Sequence, residues 1–495
     1  MMYGEEKSDS LIVAANLANN PQGAESVERR SGAKGNAEQP HMRRTQSRES
    51  MSQRLSRVRE AAKQRKKERF TALFHLLTAE ALENAFLSLS RKAAAGVDGV
   101  RWKDYAENLK VNIADLHRRL HQGSYRAQPG RRHYIPKADG KQRPLGIASL
   151  EDKIVQYALV KILNAVYEND FMGFSYGFRP GRSQHNALDA LATGLVRTNV
   201  NWVLDADISQ FFDKVSHEWL IRFIEHRIGD QRVIRLIRKW LTAGTSEEGE
   251  WRASEEGTPQ GAVISPLLAN IYLHYVFDLW AHQWRRRHAT GNVVMVRYAD
   301  DIVIGFDKRI DAQCFRIAMQ RRLKELGLTV HPKKTRLMEF GRFAAENRAS
   351  RGKGKPETFN FLGFTHISGK DRSGRFMLIR KTRRDRMTAT LKAIKDGLRK
   401  RWHYSIPEQG KWLRRVVQGY LNYHSVPGNY PMMRKFRIYV TDLWRRALRR
   451  RSQQDDTTWT KANRLAAVWL PKVRVLHPWP VERFTARHPR QEPGA

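Results

Sequence analysis

Four acids stand inside apolar runs, where charge is unfavourable. Asp300 and Asp301 break the run VVMVRYADDIVIGF (293–306), and Asp205 and Asp207 break WVLDADI (202–208). Neighbouring carboxylates in an apolar setting repel each other, and each is costly to desolvate. An acidic turn is the plain alternative for the first pair, because Asp is common in turns. Along a strand, Asp205 and Asp207 fall on the same face. If the two runs are neighbouring strands, carboxylates from both meet, and a divalent cation would relieve their repulsion. Mg2+ prefers oxygen ligands, and two such ions can clamp the attacking and leaving oxygens of a phosphoryl transfer. The chemistry this predicts is that of a polymerase-type site.

The elements that must position these acids can be read from periodicity. VVMVRY and IVIGF read as two strands joined by a tight turn, and NWVLDADI (201–208) as a third. KIVQYALVKILNAVYENDF (153–171) has helical spacing. Helices and short strands alternate over residues 80–380 without regular βαβ units, which predicts an α+β fold. Beyond residue 380 the chain reads as basic, amphipathic helix: Met387, Leu391, Ile394 and Leu398, then Met433, Phe436, Val440, Leu443 and Ala447, recur at intervals of 3 and 4.

Charge narrows the partner. The 495-residue chain has a formal net charge of +40, and residues 380–495 hold 28 Lys and Arg against 8 Asp and Glu. Half of the excess therefore sits in under a quarter of the length, and a field of that sign favours nucleic acid. Trp402, Trp412, Tyr420, Tyr423, Trp444 and Trp459 are interleaved with these cations. Such rings can stack bases beside gripped phosphates, or they can be core. A basic helix expected from Met51 is a phosphate-binding arm or a solvated face, and residues 1 to about 45 are expected to be disordered. The single cysteine, Cys314, excludes disulfide frameworks and Cys-rich zinc sites within the chain and suits a reducing compartment. No apolar run is long enough to span a bilayer, and MMYGEEKSDS lacks the basic start and apolar core of a signal peptide. These features predict a cytoplasmic protein with no membrane partner.

An ordered series of blocks then becomes specific. Tyr298-Ala299-Asp300-Asp301 resembles the YxDD box of reverse transcriptases, in the YADD form of group II intron-encoded proteins. AGVDGV (95–100), IPKADGKQRPLGIASLEDK (135–153), FSYGFRPGRSQHNAL (174–188), WVLDADISQFFD (202–213), GTPQGAVISPLLANIYL (257–273), HPKKTR (331–336) and FNFLGF (359–364) resemble the polymerase blocks of that family, in order. QGYLNYHSVPGN (418–429), RRALRRRSQ (445–453) and LPKVRVLHPWP (470–480) resemble its maturase region. On these residues the chain is similar to the group II intron reverse transcriptase/maturase family over about residues 51–490.

The resemblance implies a right-hand polymerase with fingers and a ferredoxin-like antiparallel palm sheet over 51–380. A helical thumb or maturase domain would follow over 381–452, and a basic segment over 453–495. It implies two Mg2+ ions held by Asp207, Asp300, Asp301 and the Ile208 carbonyl, with Asp205 in support. Phe212, five residues past Asp207, matches a steric gate against the ribose 2′-OH, or it packs in the core. Lys137 and Arg143 match residues that hold a triphosphate, a task suited to cations because the transition state spreads charge over phosphoryl oxygens. Gln260 matches a residue lining the nucleotide pocket, and Gly261 would allow close backbone approach. Ala262 stands where the family usually has Gly. Lys334, or its neighbour Lys333, would lie near the pyrophosphate as a proton donor. Phe361, Leu362 and Gly363 match a primer grip, with plain core as the alternative. Arg446, Arg449, Arg450 and Arg451 are candidate RNA phosphate contacts. The implied partners are group II intron RNA, an RNA template with a DNA primer, and dNTPs. The single Cys and the end of the chain soon after LHPWPVERF imply no HNH endonuclease domain. A free-standing reverse transcriptase serving phage defence or DNA repair, and a splicing cofactor with an idle polymerase site, are the alternatives.

Overall fold

A computed structural model describes residues 50–136, 142–247, 249–451 and 457–487. Lys137 lies outside these residues. Eleven strands are found among them: β1 (Gly130–Pro136), β2 (Gln142–Ile147), β3 (Trp202–Asp207), β4 (Thr245–Glu247), β5 (Glu250–Arg252), β6 (Val293–Tyr298), β7 (Asp301–Phe306), β8 (Arg336–Glu339), β9 (Phe359–Phe361), β10 (Phe364–Lys370) and β11 (Phe376–Thr382). Helices occupy most of the remainder, so the fold is α+β.

The acids lie in a four-stranded sheet of order β6-β7-β3-β8, antiparallel throughout. Along the chain its strands follow a β-α-β-β-α-β pattern, with helices between β3 and β6 and the helix Arg309–Glu325 between β7 and β8. The period-2 alternation of strands sorts their side chains into two cores. Leu204, Ala206, Ile302, Ile304 and Phe306 enter a large core shared with Phe315 and Met319 of Arg309–Glu325. Val203, Val296, Val303 and Tyr298 enter a second core with Leu188 and Leu191 of the helix Gln184–Arg197 and with Phe361 and Phe364. Asp205, Asp207 and Asp301 share the parity of Val203 and Val303, so they belong to this second face. A buried Leu or Ile contributes roughly 1.5–3 kcal/mol. A one-residue slip of β3 would therefore drive its two acids into the large core, which fixes the register.

The helix Leu150–Tyr167 runs through the large core, with Ile154, Val155, Leu159, Ile162 and Val166 fully buried. Ser149 caps it, its Oγ accepting from the Asp152 amide at 3.1 Å. The basic helix Met51–Gln64 packs Met51, Leu55, Val58 and Ala62 against this core. A second sheet has the order β2-β1-β4-β5, in which β1 pairs parallel with β4. A third joins β9, β10 and β11.

Helices Arg384–Arg399, Ile406–His424, Tyr430–Arg449 and Trp459–Trp469 build a separate core from Ile394, Leu398, Leu413, Val417, Phe436, Val440, Trp444 and Ala466. Ala466 and Leu470, beyond the expected boundary near 452, belong to the same core. Of the interleaved aromatics, Trp444 is core, donating to Gln409 Oε1 at 2.9 Å, and Tyr420 stacks on Phe436 at 3.6 Å. Trp459 is exposed beneath the Arg445 guanidinium. The last described helix, Pro480–Arg487, lies on Gln184–Arg197, where Arg483 pairs with Asp189.

Candidate active site

The strand register brings the acids together. Asp207, the last residue of β3, stands directly opposite Asp301, the first of β7. Their exposures are 7% and 3%. Asp300 occupies the two-residue turn between β6 and β7 and is half-buried. Asp205 lies one inward-facing position back, buried, opposite Val303 and Arg336. Like charges directly opposite destabilise a sheet, and a cation answers them: Lys334 Nζ lies 3.3 Å from Asp207 Oδ2. Lys333 is exposed, so the structure brings Lys334, not its neighbour, to the acids. The HPKKT segment is tied in by the His331 amide, which donates to the Asp207 carbonyl at 2.7 Å. Ile208 follows directly, buried and bridged to Val330.

The turn itself is strained. Ala299 has φ of +53°, a conformation that costs a residue with a Cβ roughly 1–2 kcal/mol. Two-residue hairpins usually place Gly or Asn at such positions. Two groups unforeseen in the sequence hold it. The Arg297 guanidinium donates to the Ala299 carbonyl at 2.9 Å. Gly177 packs so closely that a Cβ there would fall 2.2 Å from the Ala299 nitrogen, and Asn270 Nδ2 fixes the Gly177 carbonyl at 2.7 Å. A signal was available: an arginine inside VVMVRY is as anomalous as the acids, and a buried charge requires a partner.

Beside the acids, three segments meet. After β3 the chain turns through Phe211–Asp213, with Phe212 half-buried and its ring 5.3 Å from that of Phe211. The Phe212 carbonyl accepts from the Thr258 amide at 2.7 Å. Gly257, with φ of +86°, allows this approach, since a Cβ there would meet the Phe212 carbonyl oxygen at 2.9 Å. Gln260 Nε2 donates to Asp213 Oδ1 at 3.0 Å. The Gln260 carbonyl accepts from Gly146 of β2 at 2.7 Å, which joins the strand carrying Arg143 to the PQG loop. Arg143 is half-buried there. Gly261 has φ of +105°, whereas the Ala262 methyl is buried, away from the open side of the loop.

Phe361, Leu362 and Gly363 form the hairpin joining β9 to β10, and all three are buried. The side chains of Phe361 and Leu362 belong to the core that also holds Tyr298 and Ala299. The Leu362 carbonyl accepts from Tyr423 Oη at 2.9 Å and that of Gly363 from the Arg383 amide at 3.1 Å. The hairpin thus braces the acidic turn from behind. Among the arginines expected to touch RNA, Arg446 is exposed but paired with Asp442 at 2.7 Å, and Arg451 donates to the Tyr404 carbonyl. Arg449 and Arg450 are exposed.

Among the described residues, no three His, Cys, Asp or Glu side chains stand close enough together to hold a metal ion by themselves. The donor set is nonetheless all oxygen: two register-paired carboxylates with a third in the adjoining turn. That suits Mg2+, which is usually bound by one or two carboxylates together with substrate phosphates.

Comparison with known proteins agrees with this geometry. Residues 135–366 match the reverse transcriptase (RNA-dependent DNA polymerase) family, a span that includes all four acids, Phe212, Gln260 and Lys334. The chain is 43% identical to protein YkfC of Escherichia coli (strain K12) over 206 residues, 41% of this chain and 54% of that protein. It is 42% identical over 172 residues to an uncharacterized 91 kDa protein in the cob intron of Schizosaccharomyces pombe (strain 972 / ATCC 24843), covering 34% of this chain and 21% of that one. It is 37% identical to the group II intron-encoded protein LtrA of Lactococcus lactis subsp. cremoris over 223 residues, 44% of this chain and 37% of that protein. The chain thus spans about half the length of the first of these relatives and less of the other two.

Proposed function

We propose that this chain, which belongs to the group II intron reverse transcriptase/maturase family, is an RNA-directed DNA polymerase that also binds intron RNA and promotes its splicing. The observation that carries the polymerase activity is the register pairing of Asp207 with Asp301, with Asp300 in the turn beside them.

The sheet of β3 and β6–β8 would be the palm, the β1–β2 hairpin part of the fingers, and the helices from Arg384 onward the thumb. A DNA 3′-hydroxyl would attack the α-phosphate of a dNTP in line, displacing pyrophosphate. Two Mg2+ ions, when bound to Asp207, Asp300, Asp301 and the Ile208 carbonyl, supply neutralisation of the charge on attacking and leaving oxygens. Lys334, 3.3 Å from Asp207, holds a proton where the pyrophosphate departs. The Phe212 ring excludes a ribose 2′-OH, and Gln260, held by Asp213, lines the base side of the pocket. Arg143, with Lys137, would bind the triphosphate.

The RNA-binding role is supported by a trench of about 790 Å³ between the helix Ile406–His424 and residues 471–476. Arg414, Arg415, Lys472 and Arg474 line it, and no acid pairs with any of them among the described residues. Clustered cations without counter-charges suit a phosphate backbone. The walls are pinned, at one end by Arg437 on the Pro471 carbonyl and at the other by the Leu476 and His477 amides on Ser425.

The purified protein, given poly(rA)/oligo(dT), Mg2+ and dTTP, is expected to make cDNA, and Asp300→Ala to abolish synthesis. Full activity in that variant would remove Asp300 from the site. For the intron role, group II intron RNA domains in the DNA flanking the gene are the expected finding.

A further inference from the structure

A buried ion pair lies directly behind the acidic turn. Arg297 and Asp278 are both completely inaccessible to solvent. Arg297 has five N–H donors, and each has a partner. Nε and Nη2 donate to the two carboxylate oxygens of Asp278 at 2.7 and 2.6 Å. Nη2 also donates to Ser175 Oγ at 2.7 Å. Nη1 donates to Asn270 Oδ1 at 3.1 Å and to the Ala299 carbonyl at 2.9 Å. Asp278 reaches this position from a single π-helical turn, His274–Asp278, in an otherwise α-helical run. Such turns are frequent at functional sites.

Stability alone does not explain the arrangement, since apolar residues of similar volume can replace a buried ion pair without loss. Four of the five bonds hold the guanidinium still. The fifth is made to the one residue of the acidic turn with positive φ. The Ala299 carbonyl belongs to the peptide unit that leads into Asp300, so fixing that oxygen fixes the plane from which the Asp300 side chain departs. Lysine, with three donors and no fork, cannot reproduce the set.

We propose that Arg297, neutralised by Asp278, is a positioning residue for nucleotidyl transfer: it locks the Ala299–Asp300 peptide plane and sets where the Asp300 carboxylate stands relative to the Asp207–Asp301 pair. The proposal rests on the polymerase activity proposed above. Asp278 makes the lock electrically silent, so the guanidinium adds no net charge to compete with a dication for the carboxylates.

Three variants test it. R297K keeps the charge and loses the fork. The double variant R297M/D278N removes both charges, so no buried ion is stranded. S175A removes one bond and no charge. Each is measured by single-nucleotide extension on an RNA template with a DNA primer, and by Mn2+ binding followed by electron paramagnetic resonance without dNTP. R297K and the double variant are expected to lower kcat by about 100-fold, the scale of a 1 Å misplacement, with KM for dNTP and affinity for template–primer unchanged. Mn2+ binding weakens in parallel. S175A gives a shift in the same direction of about fivefold, the scale of one hydrogen bond. A purely structural pair would lower the fraction of active molecules and leave the Mn2+ midpoint of the folded fraction where it is in wild type. An unchanged midpoint in S175A and in whichever pair variant folds therefore overturns the proposal. Wild-type protein that makes no cDNA overturns the polymerase reading instead.

Discussion

Lys334 and Asp207 form a cation–carboxylate contact at the proposed metal site, and its two members would have separate tasks. As a proton donor at the leaving group, Lys334 would contribute on the scale of 10²–10⁴ in rate. Lys334→Ala is expected to slow single-nucleotide extension by at least about 100-fold and to leave Lys333→Ala near wild type, which pre-steady-state kinetics on both variants would check. Phe212 makes a second prediction. Its ring is half-buried against Phe211, and its backbone is pinned by Thr258, so it can neither leave nor swing freely. Phe212→Val should raise the ratio of ribonucleotide to deoxyribonucleotide incorporation by about 10- to 200-fold, the range for removing bulk from an apolar pocket. A ratio equal to that of wild type would make the ring core packing alone. The acids, Phe212 and Gln260 could be singled out because their residue types are incongruous where they stand or sit in ordered blocks. Arg297 was equally incongruous, but its partner Asp278 is 19 residues away on a helix, and no local pattern connects them. Leu362 shows the opposite failure: a core leucine and a primer-contacting leucine look the same in a sequence.

At the scale of elements, the acidic turn is held by its neighbours more than by its own residues. The segment Phe174–Gly177 runs beside β6, exchanging backbone bonds with Arg297, so Gly177 acts as the floor under Ala299. Gly177→Ala places a methyl group where the Ala299 nitrogen already is. The variant is expected to lose about 100-fold in extension rate while its RNA affinity, measured by filter binding, stays at the wild-type value. The trench gives a separate prediction, because its cations sit on a helix and an extended segment distant in sequence. Arg414→Ala combined with Lys472→Ala should weaken binding of single-stranded RNA and reduce the slope of log K against log salt by about 0.7 for each lost phosphate contact. An unchanged slope would move the RNA elsewhere. The strands β3, β6 and β7 were readable as short apolar runs bounded by turns. The parallel pairing of β1 with β4 was not, since three-residue strands carry too little pattern, and neither was the docking of Trp459–Trp469 into the C-terminal helical core, where Leu465, Ala466 and Trp469 meet residues far away in the sequence.

Across the whole molecule, buried histidines stand within the sheet-bearing part, as His274 does, and at its junction with the C-terminal helices, as His185 and His424 do. Burial pushes His424, between Tyr420 and Phe364, down to about 4, and His274, the first residue of the π-helical turn, also to about 4. His185, stacked on His477, is pushed down to about 2 by burial and by the charges of nearby groups, His477 and Arg483 first among them. In the unfolded chain these side chains would protonate near 6.5. Between the two values the unfolded chain binds more protons, so the stabilisation is complete above about 6.5 and is lost as pH falls toward 4. Each contributes roughly 2 kcal/mol of lost stability by pH 5. The melting temperature is expected to fall steadily from pH 7 to pH 5, and His424→Gln to show a shallower decline in the same calorimetric series.

The pairing of Arg483 with Asp189 spans 294 residues of chain. At about 5–20 residues per second, the guanidinium leaves the ribosome roughly 15–60 s after the carboxylate it neutralises. During that interval Asp189, on the helix Gln184–Arg197 beside the strands of the acidic turn, awaits Arg483, its other cation being Arg380 of β11 at 3.6 Å. The sheet is thus synthesised well before the helix Pro480–Arg487, which lies on the helix Gln184–Arg197 behind it.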